Sequence, residues 1–429
     1  MTSNKRILLL PDQVWTDGET HRSWCVLVDG ARIAAAGSRQ SVGEVGDCEL
    51  IELSGCTLLP GLMDLHSHLF LHPYNETSWD DQVLKETEAY RTARAVRHAE
   101  TTLMAGFTTL RDLGTEGAGY ADVSLKRAIE DGIVAGPRLF VAGRAIVATG
   151  SYGPARRNYR TDCCFPQGAL EASGVDEIVR AVRIEAAHGA DWIKLYGDYR
   201  VGPNSETRPT FSQEELNAAV AAAHDLGRPV AVHAMTDEAM QRAARAGVQT
   251  IEHGYGGSRE TFALMREKGV AFLPTLTVSE ALSEYFRGYV PGESDPTESM
   301  QMAAQGFHNA RAEGIVIGCG SDVGPFPHGE NVRELIWMTR LGMTSAQALT
   351  AATAMNAKIL GKENELGSIR RGYFADLIAV QGQPVEDVAT VTHPQFVMKN
   401  GALIAAPAAV DVSRAIVLTQ RGAGPPINE

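Results

Sequence analysis

At 429 residues the chain is long for one compact core and suits one large domain plus a smaller one. Its formal charge of -13 argues against a nucleic-acid partner, and no apolar run approaches the ~18–20 residues of a membrane helix. The 6 cysteines show no C-x-x-C spacing, and Cys163 adjoins Cys164, so neither a zinc-finger pattern nor a disulfide framework is present.

The opening MTSNKRILLLPDQVW has too short an apolar segment for a secretory signal, so a cytoplasmic protein is expected. Residues 1–57 then carry VLVDGARIAAAG, a short β-like run punctuated by Gly and Asp, which reads as a hairpin. From residue 58 to 361 short apolar runs alternate with helical-looking stretches. The candidate strands are TLLPGLMDLH, FTTLRDLG, PRLFVAGRA, ADWIKLYG, PVAVHA, TIEHG, VAFLPTLTV and IVIGCGSD. Between them, Ser212 with Glu215 and Thr344 with Gln347 form capping-box signals, and Gly227, Gly247, Gly269 and Gly361 sit where helices should stop. β-like runs return in GSIRRGYFADLIAV and QFVMKNGALI, and the tail RGAGPPINE is expected to be poorly ordered.

Strand–helix units repeated in this way predict an α/β fold, a (β/α)8 TIM barrel over residues 58–361. A doubly wound open sheet would place a Gly-rich phosphate loop after its first strand, and none is there. The flanks, 1–57 and 362–429, are expected to build one small β-sandwich domain together.

A barrel of this kind carries its chemistry at the C-terminal ends of its strands. The first strand runs into LPGLMDLHSHLF, where alternation points His66 and His68 the same way, like two ligands of one metal ion. In the fourth, Trp192, Lys194 and Tyr196 share a face. An unpaired ammonium inside a barrel is costly, and burial lowers its pKa. The fifth strand ends in His233, the sixth in His253 and the eighth in Asp322. Singly, each has a plain explanation: a satisfied polar group, an N-cap, a lysine reaching the rim. Converging on one mouth, they point to a metal centre.

This set, with LPGLMDLHSH at one end and GSIRRGYFADLIAV at the other, resembles the amidohydrolase superfamily over nearly the whole chain. The resemblance implies that His66, His68 and Asp322 hold one divalent ion and His233 and His253 a second. Lys194, carboxylated by CO2, would bridge the two, and zinc is the expected metal. It also implies hydrolysis by a metal-held hydroxide, with Asp322 as general base and then acid. Deaminases of the superfamily carry H-A-x-E after the fifth strand; here the segment is His233-Ala-Met-Thr236, with Glu238 off register, which favours a C–N hydrolase.

The loops HPYNET, RDLGTEGAGYADV, ATGSYGP and GSDVG are similar to those of metal-dependent carboxypeptidase, dipeptidase and ochratoxin-hydrolysing members. That similarity implies release of a C-terminal aromatic or apolar amino acid from an acyl group. Many prolidase-like members have TGGHG where this chain has TGSYG at 149–153, which argues against proline-dipeptide specificity. Tyr- and Arg-rich loops suggest Tyr152, Tyr196 and Arg200 as partners of a substrate carboxylate. His328 is expected to line the mouth or orient Asp322, and Asp112 to support the site by hydrogen bonds. A cyclic-amide or lactone hydrolase using the same metals is the alternative. The expected partner is a small amide or peptide, with no nucleic acid and no membrane, and the family implies a homo-oligomer.

Overall fold

A single glycine divides the first apolar run between two sheets. In the computed structural model, which describes residues 6–43 and 45–405, TLLPGLMDLH belongs to two strands, Cys48–Pro60 and Leu62–Ser67. The junction expected at residue 58 therefore falls at Gly61. A Cβ there would collide with the Thr108 side chain, and the Gly61 amide donates to the Asp376 carbonyl at 2.8 Å.

Cys48–Pro60 runs parallel to Arg6–Thr16 and antiparallel to Leu377–Gln381, so both ends of the described chain share one sheet. Two hairpins extend it, Trp24–Asp29 with Arg32–Ser38 and Phe396–Lys399 with Ala402–Ala405. The second turns on Asn400 and Gly401 at φ 49° and 71°, as an Asn-Gly turn requires. The expected sandwich takes the form of one continuous eight-stranded sheet. Gly372, Tyr373 and Ala375 hydrogen-bond to Ala31 and Ile33 before the chain enters Leu377–Gln381, carrying it from one end of the sheet towards the other. The sheet thereby folds over a core of its own that includes Leu9, Val26, Ile51, Leu58, Leu377 and Phe396. The tail RGAGPPINE lies outside the described residues.

Leu62–Ser67, Phe107–Asp112 and Arg138–Val141 pair in parallel, and so do Ile193–Tyr196, Val230–Ala234, Thr250–His253 and Ala271–Leu273. The two runs meet where the Asp191 and Trp192 amides donate to the Val141 carbonyl at 2.7 and 3.1 Å. The eighth expected strand is irregular. Residues 315–323 make isolated parallel bridges, Ile317 to Phe272 and Val323 to Ser67, and the Leu65 amide donates to the Cys319 carbonyl. The hydrogen bonds thus return to the strand from which they started, with helices packed between successive strands. Phe107, Phe262, Phe272 and Phe307 are fully buried in the shared core, each contributing roughly 1.5–3 kcal/mol.

The seventh strand is shorter than its sequence suggested. After Pro274, Thr275 takes a left-handed φ of 48° and Leu276 opens a helix to Phe286, so LTV belongs to that helix. The Glu334 carboxylate accepts from the Leu276 and Thr277 amides at 2.9 and 2.8 Å, satisfying donors that a helix start leaves open. Both capping boxes form as expected, and Gly247 and Gly269 close their helices in the left-handed conformation. Among the described residues no helix is long and apolar enough to cross a membrane. The 6 cysteines are free thiols.

Candidate active site

The strand ends bring the six expected residues to one place. Ring centroids lie 5.4 Å apart for His66 and His68, 5.0 Å for His66 and His253, and 4.5 Å for His233 and His253. Asp322 Oδ1 is 3.5 Å from His66 Nε2 and 3.3 Å from His68 Nε2. The potential ligand atoms of these three residues all fall within 4.8 Å of one another. Lys194 is fully buried, and its charge bears on His66, His233, His253 and Asp322 alike.

Each imidazole is held from behind. His66 Nδ1 donates to Glu252 at 2.8 Å and His68 Nδ1 to the Gly114 carbonyl at 2.9 Å, and His253 Nδ1 shares a hydrogen bond with Thr275 Oγ1 at 2.7 Å. The bonds of His66 and His68 make Nδ1 the donor and turn each Nε2 inward towards Asp322. His233 reverses the arrangement, with Nε2 3.5 Å from Asp198 and Nδ1 left over. Asp64 fastens the eighth segment to the first strand: it accepts from the His66 and Ser321 amides at 3.0 Å each, from the Ser321 hydroxyl, and from Asn331 at 2.7 Å. Asp112 accepts from the Leu69 and Gly114 amides, the supporting role expected of it.

Two of the six residues sit in strained backbone. His253 has φ 71° and Asp322 has φ 62°, a region that costs a non-glycine residue about 1–3 kcal/mol. The departure matters at Thr250–His253. Thr250 and Glu252 point inward to Arg111, so regular alternation would turn His253 outward; its left-handed φ brings it back to the mouth. Sequence reasoning misses Glu252 for that reason. It joins His66 to the fully buried Arg111, whose guanidinium it meets at 2.9 Å.

Burial holds His66, His233 and His253 well below the ordinary histidine range, the neutral state that a metal ligand needs. His68 is equally buried, but the hydrogen bond and charge of Asp322 outweigh that and bring it to about 9. A cation would replace that proton. Burial lowers Lys194 to about 8, against the opposing pull of Glu252 and Asp322, and its Nζ has no hydrogen-bond partner among the described residues. Three neutral imidazoles, a carboxylate and an orphaned buried amine are a donor set that fits divalent ions joined through a modified lysine.

A cavity of about 250 Å³ opens over the cluster, lined also by Tyr74, Glu116, Tyr152, Tyr196, Tyr199 and Arg200. Of the expected substrate-binding residues, Tyr152, Tyr196 and Arg200 line it. Tyr152 and Tyr196 are already engaged, however, because both hydroxyls donate to Glu116, at 2.6 and 3.3 Å. The expectation for His328 is corrected. It lies behind the mouth, Nε2 on the Leu71 carbonyl at 3.0 Å and its ring stacked on His98 at 4.1 Å, bracing the loop that follows His68. A larger cavity of about 590 Å³, between Arg311, Ile315, Met343 and Met355, holds no comparable convergence of titratable groups.

Residues 57–404 match the amidohydrolase family, and the chain belongs to it. It is a hydrolase of amide or peptide bonds, in a family that generally uses divalent metal. Among curated relatives it is 29% identical to the ochratoxinase of Aspergillus niger, over 93% of this chain and 86% of that one. Among solved structures it is similar to a Xaa-Pro dipeptidase with bound methionine (32% identity, TM-score 0.82, 93% of this chain and 99% of that one). It is also similar to a prolidase complexed with N-methylphosphonate-L-proline (29%, TM-score 0.82, 94% and 100%). These neighbours imply a TIM barrel with an additional domain, to which the ring of strands and the eight-stranded sheet correspond.

Proposed function

We propose that the protein releases a C-terminal aromatic or apolar amino acid from an acyl or aminoacyl group by hydrolysing the amide between them. The observation that carries this reading is the unpartnered Lys194 amine amid four inward-facing histidines and Asp322. A structural relative named as an Xaa-Pro dipeptidase with bound methionine favours an amide that ends in an amino acid.

On this reading His66, His68 and Asp322 hold one ion, His233 and His253 a second, and carboxylated Lys194 joins them, with zinc as the metal. Bound there, two divalent ions would polarise the scissile carbonyl and bring the pKa of water towards ~7. Asp322 takes the proton of the attacking water and returns it to the leaving nitrogen. Its carboxyl is ionised, the state a proton acceptor needs: burial raises its pKa, but the charges of His66 and His68 outweigh that and hold it below the usual carboxylate range.

The Arg200 guanidinium and the Tyr74 and Tyr199 hydroxyls line the cavity with no hydrogen-bond partner among the described residues, which makes them the donors open to a substrate carboxylate. Leu71, Met235, Val278 and Leu282 give the cavity an apolar lining beside Ser279 and Ser299, which suits an aromatic or aliphatic side chain. Residues 62–361 would form the catalytic barrel, the described residues before Gly61 together with 362–405 the small domain, and the assembly a homo-oligomer.

The test is a panel of dipeptides and N-acyl amino acids varied at the C-terminal residue, given to the zinc-loaded protein. Cleavage of substrates ending in Phe or Leu, with none of cyclic ureides or lactones, supports the reading. The reverse pattern replaces it with a cyclic-amide or lactone hydrolase.

A further inference from the structure

Glu116 is a buried acid at the mouth that neither the metal-type cluster nor the proposed chemistry uses. It is 2% exposed, sits at a left-handed φ of 51°, and lines the cavity. Its carboxylate accepts from the Tyr152 hydroxyl at 2.6 Å, the Trp79 indole at 3.1 Å and the Tyr196 hydroxyl at 3.3 Å. All three donors are neutral. Arg91, the guanidinium nearby, donates at 2.7 Å to the main-chain carbonyl of Glu116, and to those of Thr115 and Phe70, not to the carboxylate. Among the described residues Glu116 forms no ion pair. The carboxylate thus takes its hydrogen bonds from neutral donors alone, with Arg91, His68 and Lys194 acting on it only through space, and a cation delivered from the cavity would give it a direct ionic partner.

Arg200 has the complementary condition, a guanidinium at the exposed rim of the same cavity with no hydrogen bond or ion pair among the described residues. The cavity, about 250 Å³, is small beside the ~300–1,000 Å³ of typical ligand pockets. Resting on the amide-hydrolase reading above, we propose that Glu116 receives the free ammonium of an aminoacyl group while Arg200 holds the carboxylate beyond the scissile bond. The preferred substrates are then zwitterionic dipeptides. An N-acylated amino acid such as propionyl-phenylalanine brings no charge to Glu116.

Alanyl-phenylalanine and propionyl-phenylalanine differ only in that ammonium, and their kcat/KM ratio on the zinc-loaded full chain tests the assignment. The wild type should favour the alanyl compound by at least about tenfold, mostly through KM. Glu116→Gln should bring the ratio to within about threefold of unity. Because the readout is a ratio, a general loss from loosened Tyr152 packing cancels. Raising the pH through the α-amino pKa, about 8, should raise KM for the alanyl compound and leave that for the propionyl compound in place. Equal wild-type values, a preference for the propionyl compound, or a ratio unchanged by Glu116→Gln would overturn the ammonium site and leave amide hydrolysis standing. Failure to cleave either compound, or any dipeptide of the panel, would overturn both.

Discussion

Replacing Lys194 with methionine removes a buried ammonium that has no partner and keeps an unbranched side chain of similar length. Burial brings Lys194 from its usual 10.5 to about 8, with Glu252 and Asp322 pulling the other way. At pH 7 that gap corresponds to about 3 kcal/mol of folding free energy forfeited by the metal-free wild type. The sign follows from proton binding. Between about 8 and 10.5 the native lysine holds fewer protons than the unfolded one, so wild-type stability rises with pH across that window, and the variant lacks the rise. Chelator-treated Lys194→Met should therefore be more stable than chelator-treated wild type below pH 8, by up to about 3 kcal/mol, or several degrees in Tm. The advantage should close by about pH 10.5, and hydrolytic activity should be absent throughout. Thermal unfolding followed by circular dichroism at a series of pH values measures it. A variant less stable than wild type, or an advantage indifferent to pH, would refute the claim that this amine is strained by its surroundings.

Three further outcomes are expected. Glu252→Gln leaves the buried Arg111 guanidinium without its counter-charge and should cost about 3–5 kcal/mol in urea unfolding; a loss under about 1 kcal/mol would count against the Arg111–Glu252–His66 link. Arg200→Met should raise KM about ten- to a hundredfold for substrates with a free carboxylate but not for their C-terminal amides, and a matching rise for both would remove Arg200 from that role. His98, which burial lowers to about 4, binds fewer protons natively than unfolded between there and 6.5, so stability should fall as pH drops through that range. His98→Phe should flatten the decline, as read from Tm against pH; an unaltered slope would assign the decline to other groups.

The six clustered residues are legible in the sequence because two local rules place them: alternation along a strand, and the convergence of parallel strand ends. His66 and His68 obey alternation. Glu252 escapes notice because its neighbour does not, since His253 returns to the mouth only through its left-handed φ. An acid inside the strand-like run TIEHG is the available signal. Glu116 is harder to see, as its importance depends on Trp79, Tyr152 and Tyr196, which other segments deliver to it. His328 misleads by proximity: six residues beyond Asp322 the chain has already turned behind Leu71. The seventh strand is expected too long because Leu-Thr-Val reads as β-prone. Its helical state comes from Glu334, far along the chain, which supplies the cap that the local residues lack. The folding of the end sheet over its own core rests on residues 372–375 lying beside Ala31, Arg32 and Ile33, a pairing that no local pattern announces.

The joint at Gly61 bears on motion. One residue separates Pro60, paired with Leu377 in the end sheet, from Leu62, which leads within the same strand to His66. With its amide hydrogen-bonded and no room for a side chain, that residue makes a weld, not a hinge. The end sheet cannot swing as a door over the catalytic face without unthreading the strand that carries His66. Any opening and closing that accompanies turnover must therefore belong to the loops at the rim.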